Sequence, residues 1–558
     1  MRPGAPAHRG AVIAAVDLGT SGVKVALIAV SGETLATGRA EYPTSTGPNG
    51  EREQDPADWW NATVAALAEA LAAGALAADV HRDHVVALAA TGQMQDLICT
   101  DAAGALRPTL LYSDTRADTQ HDRLAAAFPG WALRTGNQQD SSNVAAKLAW
   151  LAEHEPDTLH STTALLFSAA GYLLWRAGGE AACDLVTASV TGLLDVDRRE
   201  WFEDLVAATG ARSDQLPRLV QGRASADSII GTLSVDAADD LGLPAGIPLV
   251  LAMGDAAATT DGLVGTEPGD AYLYLGTTGW FAQVVGAGSA EQPDEQPAKQ
   301  PAEHRAEPSA QHAIVLPGWH RTLRIGAVLS AGASAAWALA TFLPGRSFAE
   351  ADALGGARLD ARLPSRLLCL PGLNGERTPV RDNTARGTFV GVTDQTDAVD
   401  LYLAVLTGVA MGLRHAADDM REAEMRDAEM RGAGAVAVSD RIAVVGGGAA
   451  SPLWQRILAS VFEMPIVSRA GASDESATVS AAMLAADALG LDNRIRPLFD
   501  RSGDTELVTE LVAELGSALV TQPGQEAALY RELLPIHRAL YDALGPSFHA
   551  LARLQPCT

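Results

Sequence analysis

One short pattern occurs twice in this chain and limits what it can fold into. Residues 18–22 read Leu-Gly-Thr-Ser-Gly, and residues 275–279 read Leu-Gly-Thr-Thr-Gly. Each copy lies between apolar runs, so each reads as strand, glycine turn, strand. Two such hairpins half a chain apart predict duplicated domains that grip one phosphate chain between them. The first copy carries more polar chemistry than a hairpin needs. Asp17 ends the leading strand, Gly19 and Gly22 let backbone N–H groups approach phosphate oxygens, and Thr20 and Ser21 add hydroxyls. Asp17 is the candidate to hold Mg²⁺ through its waters. In the second copy Tyr274 stands at the equivalent of Asp17, so Gly276, Thr277 and Thr278 are expected to supply backbone and hydroxyl donors only. The plainer alternative is a pair of turns whose side chains merely satisfy the backbone.

Other strand ends carry polar loops of the kind that α/β proteins use for ligands. Val85–Ala90 runs into Thr91, Gly92, Gln93, Met94, Gln95 and Asp96. Leu249–Ala252 leads to Met253-Gly254-Asp255, where Asp255 either caps the helix that follows or serves a site, and both roles can coexist. Ile442–Val445 enters Gly446-Gly447-Gly448-Ala449, after which Pro452 opens a helix. A packing turn needs one or two glycines; three suit backbone lying against a nucleotide at a helix N-terminus. Asp55 and Pro56 predict a helix starting near Ala57, with Trp59 and Trp60 as packing residues. Asp114 and Arg116 are expected to pair with each other. Residues 326–340 are read as a helix carrying Trp337, and the charged near-repeat at 417–431 as a solvated extension of a helix beginning near Ala398.

At 558 residues the chain is too long for one core. The expected domains are 11–265 and 266–495, with a disordered N-terminus at 1–10, a disordered Pro/Gln/Glu-rich insertion at 286–312, and a helical tail at 496–558 built from helices at 506–519 and 526–544. The net charge of −27 argues against non-specific nucleic-acid binding and against an anionic membrane surface. ATP remains compatible, because glycine loops, helix N-termini and Mg²⁺ create local positive potential. Cys99, Cys183, Cys369 and Cys557 have no CxxC spacing, which predicts a reduced, cytoplasmic protein without a zinc site. No run of 18 uninterrupted apolar residues marks a membrane span.

The order and spacing of these motifs resemble the FGGY carbohydrate kinases, and within them the xylulokinases. The likeness extends from about Val12 to about Leu489 and includes Leu370-Pro371 followed by Gly375-Glu376-Arg377-Thr378-Pro379, similar to the family's Leu-Pro-x-x-x-Gly-Glu-Arg-x-Pro. It implies an α/β fold of two ribonuclease-H-like, actin-like ATPase domains with a cleft between them. It implies ATP and Mg²⁺ as cofactors and a small sugar as substrate, first D-xylulose. By the same likeness Asp255 is the catalytic base, Asp17 the metal carboxylate, and Gln93, Met94 and Gln95 the sugar loop. Trp337 and Gly446–Ala449 are expected near adenosine, and Glu376 with Arg377 is expected as a structural ion pair. The chain departs from the pattern at Gln95 and Asp96, where His and Gly are usual, at Ala256 in place of Asn, and at Ser168–Gly171. Those departures leave ribulose, a longer ketose or a sugar alcohol as alternatives, and a non-catalytic sensor as a reading of another class. Asp17 and Asp255 both argue against the sensor. The sequence leaves open whether the chain forms a homodimer.

Overall fold

A computed structural model describes residues 10–499 and 519–554, apart from 79, 223–224, 287–311, 318–320, 363, 374, 432–439 and 470. The disordered segments expected at 1–10 and 286–312 lie, except for their last residues and Gly286, outside the described residues.

The first domain is built on β1 (Val12–Leu18), β2 (Gly22–Ala29), β3 (Thr34–Glu41), α1 (Pro56–Ala78) and β4 (Val85–Gly92). Beyond Gln93 the chain enters β5 (Met94–Asp101), and later α2 (Val144–His154), β6 (Ile229–Thr232), β7 (Pro248–Leu251) and α3 (Asp255–Leu263). The main sheet has the order β6-β7-β4-β1-β2-β3. β1 is antiparallel to β2 and parallel to β4, which is parallel to β7. Residues 12–16 are fully buried, which explains why their run is apolar without alternation. Helix α1 has an 18-residue window of mean hydropathy 1.4, enough by composition to cross a membrane. Here it packs on β2 and β3, with Trp59, Trp60, Ala66, Leu67 and Ala70 in the core.

The second domain continues with β8 (Ala271–Leu275), β9 (Gly279–Gly286), β10 (His312–Val315), β11 (Arg321–Val328), α4 (Gly332–Phe342) and α5 (Ala398–Arg431). It closes with β12 (Ile442–Val445), α6 (Pro452–Phe462), β13 (Ile466–Ser468), α7 (Ala472–Ala488), β14 (Leu519–Thr521) and α8 (Ala527–Ala552). Its sheet order is β10-β11-β9-β8-β12-β13-β14. Strand by strand and direction by direction, β14-β13-β12-β8-β9-β11 repeats β6-β7-β4-β1-β2-β3. The duplication suggested by two hairpins therefore extends to six strands.

Helices α3 and α7 pack against each other between the two sheets, and one apolar cluster joins Ile13, Ala15 and Ala89 of the first sheet to Tyr272, Ala443 and Val445 of the second. Contact between these helices is close: a Cβ on Gly262 would lie 1.8 Å from the Ser476 carbonyl oxygen. Buried Asp261 accepts a 2.8 Å hydrogen bond from Ser480 across this seam.

Three readings change. Residues 326–328 end β11 instead of opening a helix, because Gly326 pairs with Phe281 and a Cβ there would lie 2.8 Å from Met420 Cε; the helix starts at Gly332. The extension of α5 is not wholly solvated, since Met420 and Glu424 are buried. In the tail, 506–518 lies outside the described residues, whereas Leu519–Thr521 is a strand on the sheet edge and α8 runs to Ala552.

Candidate active site

β1, β4 and β7 are neighbouring parallel strands, so their C-terminal ends bring Asp17, Thr91 and the turn at Met253 to one edge. Asp17 and Thr91 are register partners, and the Thr91 hydroxyl donates to the Met253 carbonyl at 2.6 Å. The turn is held from below by Asp184, a buried carboxylate whose Oδ1 accepts N–H bonds from Gly254 and Thr187, both at 3.0 Å. Asp184 Oδ2 has no partner among the described residues. Asp255 is the first residue of α3, and its Oδ1 accepts the Ala256 N–H at 2.7 Å. It thus serves the helix start without occupying the capping position, which is Gly254.

The electrostatics join these groups. Burial pushes Asp255 up to about 7, with the Asp17 charge adding to the rise. Burial raises Asp17 to about 6 against the opposing pull of Lys24, its cross-strand partner. Asp96 is driven upward by burial and Lys147 downward by burial, while their mutual attraction works against both shifts.

In the first hairpin loop, Gly19 donates to the Gly22 carbonyl at 3.0 Å, and the Tyr42 hydroxyl donates to the carbonyls of Gly19 and Gly22. Thr20 Oγ1 lies 3.2 Å from the Tyr112 hydroxyl, and Ser21 is exposed. In the second loop, the carbonyls of Gly276 and Thr277 accept N–H bonds from Gly332 and Ala331, which ties the turn to the start of α4. Thr277 is exposed and Thr278 half-buried. The Tyr274 ring stacks on Trp280 at 3.8 Å, so nothing there substitutes for a carboxylate.

The triglycine divides by position. Gly446 has φ +90°, and a Cβ on it would come within 2.6 Å of the Leu275 carbonyl; one on Gly448 would meet Leu275 and the Trp454 ring within 3 Å. Those two glycines pack against β8. Gly447 is exposed and has open space around it, Ala449 is half-buried, and α6 is capped by the Ser451 hydroxyl. Trp337 is 38% exposed and lines a small cavity with Ser334, Pro371, Leu373 and Phe389.

The loop between β4 and β5 is clamped. Gln93 is buried and donates to Gln54 Oε1 at 2.9 Å, leaving its own Oε1 without a partner. Met94 packs on the turn before Asp255, since a Cβ on Gly254 would lie 2.6 Å from its Sδ. Gln95 has φ +68° and donates through its amide to Ser142. Asp114 and Arg116 pair through three side-chain bonds of 2.7, 2.9 and 3.1 Å, as expected. Glu376 and Arg377 do not pair. Glu376 is buried and accepts the backbone N–H groups of Leu329 and Arg377, while the Arg377 side chain is exposed. Sequence reasoning missed Asp184, Tyr42 and Lys147 as site supports; a lone lysine within the apolar run Val144–Leu151 was the available signal for the last.

Among the described residues no cluster of three or more His, Cys, Asp or Glu could cage a metal. Mg²⁺ does not need one, since it is commonly held through one or two carboxylates, waters and phosphates, and Asp17 beside the hydroxyl-bearing loop offers that donor set.

Two domains of one sheet design, facing each other across paired helices, with a carboxylate on the first hairpin only, define an actin-like, ribonuclease-H-like phosphotransferase. Comparison with known proteins narrows the class. Residues 12–262 match the N-terminal domain of the FGGY family of carbohydrate kinases and residues 322–489 match its C-terminal domain. The chain is 31% identical over 528 residues to a xylulose kinase of Escherichia coli strain K12, covering 93% of this chain and 99% of that one. A xyloylose kinase structure from Brucella ovis superposes with TM-score 0.76 at 29% identity, over 97% of this chain and 100% of that one. The xylulose kinase of Rhodospirillum rubrum, at 24% identity and TM-score 0.75 over 96% of this chain and 100% of that one, shares the fold. This chain belongs to the FGGY family of carbohydrate kinases. It is a carbohydrate kinase, with ATP and a sugar as its substrates.

Proposed function

We propose that the chain transfers the γ-phosphate of ATP to a primary hydroxyl of a ketose, forming D-xylulose 5-phosphate from D-xylulose. The chemistry rests on one observation above others: Asp17 at the end of β1 and Asp255 just beyond the end of β7 lie on the same edge of the sheet, on the two parallel strands that flank β4, where the charge of Asp17 adds to the rise of Asp255. The choice of sugar rests on the full-length likeness to xylulose kinases. Asp255 takes the proton from the attacking hydroxyl, and burial keeps its affinity for that proton high enough for the transfer. Asp17 would hold Mg²⁺, which when bound would supply charge neutralisation for the transferring phosphate. Gly19, Thr20, Ser21, Gly276, Thr277 and Thr278 cradle the phosphates from opposite domains. Gly447, with Gly446, Gly448 and Ala449 shaping its turn, lies along adenosine, and Trp337 borders the base. Gln93, Met94 and Gln95 form the sugar loop. Closure of the domains excludes water from the transfer. The buried free thiols Cys99, Cys183 and Cys369 support a cytoplasmic setting.

A second reading, another ketose or a sugar alcohol, is favoured by Gln95 and Ala256, which replace the residue types expected of a xylulose site. ADP release with a panel of ketoses and polyols, followed by ³¹P–¹H NMR of the product, separates the two. Strongest turnover on D-xylulose with phosphate on the C5 oxygen is the expected result. Preference for another sugar reassigns the substrate, and no stimulation by any member refutes D-xylulose and the other panel sugars as substrates.

A further inference from the structure

Lys147 is completely buried; nearby Asp96, Asp114 and Asp140 favour its charge against desolvation, but no carboxylate oxygen among the described residues pairs with its ammonium within 4 Å. It donates to two backbone carbonyls, Gln95 at 2.7 Å and Leu111 at 2.9 Å. A lysine is an expensive way to satisfy two carbonyls, because its own desolvation opposes the charge. What it holds explains its presence. Gln95 has φ +68°, a left-handed backbone that is uncommon for a residue with a Cβ and costs free energy unless the surroundings impose it. Two attachments impose it here, one from Ser142 just ahead of α2 and one from Lys147 in its first turn. Ser142 accepts the Gln95 amide through its carbonyl and hydroxyl, and Lys147, one turn further along, takes the Gln95 carbonyl. Ser142 is itself fixed by Asp140, which accepts its N–H and O–H.

The consequence reaches the reacting centre. Met94, next to the left-handed residue, lies against Gly254, which leaves its Sδ no room for a Cβ at that position, and Asp255 follows immediately. On the other side, Asp96 Oδ1 accepts the N–H of Tyr112, whose preceding carbonyl is the second Lys147 acceptor and whose hydroxyl meets Thr20 of the phosphate loop. One buried cation thus ties the sugar loop to the segment that touches the phosphate loop.

We propose that Lys147 is a positioning residue: by holding Gln95 in its left-handed conformation it sets Met94 against Gly254 and fixes the sugar loop relative to Asp255. This rests on the reading of Gln93–Gln95 as the sugar loop. It acts through Gln95 and touches neither substrate.

The test uses the full-length chain and Lys147→Met. Hydrogen exchange in the peptide 93–97 should speed at least about tenfold while exchange at 276–279 stays within twofold. KM for D-xylulose should rise about tenfold or more, with KM for ATP within twofold. Adding Gln95→Gly to Lys147→Met should recover at least about threefold in kcat/KM for the sugar, because glycine adopts positive φ without a tether. Should Lys147→Met fail to fold, Gln95→Val in the wild-type background, where a β-branched residue resists that conformation, should reproduce the sugar KM defect and the faster local exchange. Unchanged exchange at 93–97, exchange raised equally throughout, or equal losses for sugar and ATP that Gln95→Gly does not relieve would overturn the assignment. A wild-type protein that phosphorylates no ketose would remove the sugar reading alone, and the exchange data would still decide the role of Lys147.

Discussion

Glu376 shows how a side chain can match a signature and yet do a different job from the one its neighbours suggest. Its carboxyl is buried against the N–H groups of Leu329 and Arg377, and burial raises it from the ordinary 4.5 to about 7. An acid whose folded value is raised stabilises the fold fully below its unfolded value, and that contribution is lost as pH rises through the folded value. Glu376→Gln keeps an acceptor for both N–H groups and removes the ionisation. Its stability relative to wild type should therefore improve from pH 4 to pH 8, by at most roughly 3 kcal/mol. Calorimetric Tm values for both proteins at the two pH values check this, and a gap independent of pH would contradict it. Asp17 and Asp255 were legible in the sequence because each ends an apolar run, where a carboxylate has no packing reason to be. Lys147 was not, since its acceptors Gln95 and Leu111 are remote in sequence and a single lysine in a helix ordinarily marks a solvent face.

At the scale of elements, the triglycine turn after β12 separates two glycines that pack from the open Gly447, the proposed nucleotide contact. Gly446→Ala forces a Cβ onto the Leu275 carbonyl at positive φ, so it should lower Tm by at least ~3 °C. Gly447→Ala meets nothing in the protein and should leave Tm within about 1 °C while raising KM for ATP several-fold. Thermal melts and ATP saturation curves of the two variants distinguish the roles; equal effects of both on Tm would refute the division. The sequence shows three glycines but not which of them faces β8, because that depends on a strand 170 residues earlier in the chain. Helix α1 was readable from Asp55 and Pro56 alone. The end of β11 was not, since Gly326, Ala327 and Val328 carry no period, and their strand identity comes from pairing with β9. Strand β14 is three residues long and exists only by pairing with β13, so local sequence carries no trace of it.

For the whole molecule, two hairpins were enough to announce duplication, but the correspondence of six strands emerges only in the fold. The other four corresponding strands of each sheet lack the repeated motif and are constrained by burial. The duplicated sheets face each other across α3 and α7, with the carboxylate-bearing loop on the first sheet and the carboxylate-free loop on the second. In the proposed mechanism the asymmetry between Asp17 and Tyr274 is the step from a repeated scaffold to a phosphotransferase, and Asp255, the first residue of α3, would serve as the base. The most direct measurement is ADP release with Mg-ATP and D-xylulose, compared between the wild-type protein and Asp255→Asn. Sugar-stimulated turnover in the wild type and a rate ~10²–10⁴-fold lower in the variant, with ATP affinity retained, is the predicted result. A variant that keeps more than about a tenth of the wild-type rate would contradict Asp255 as the base.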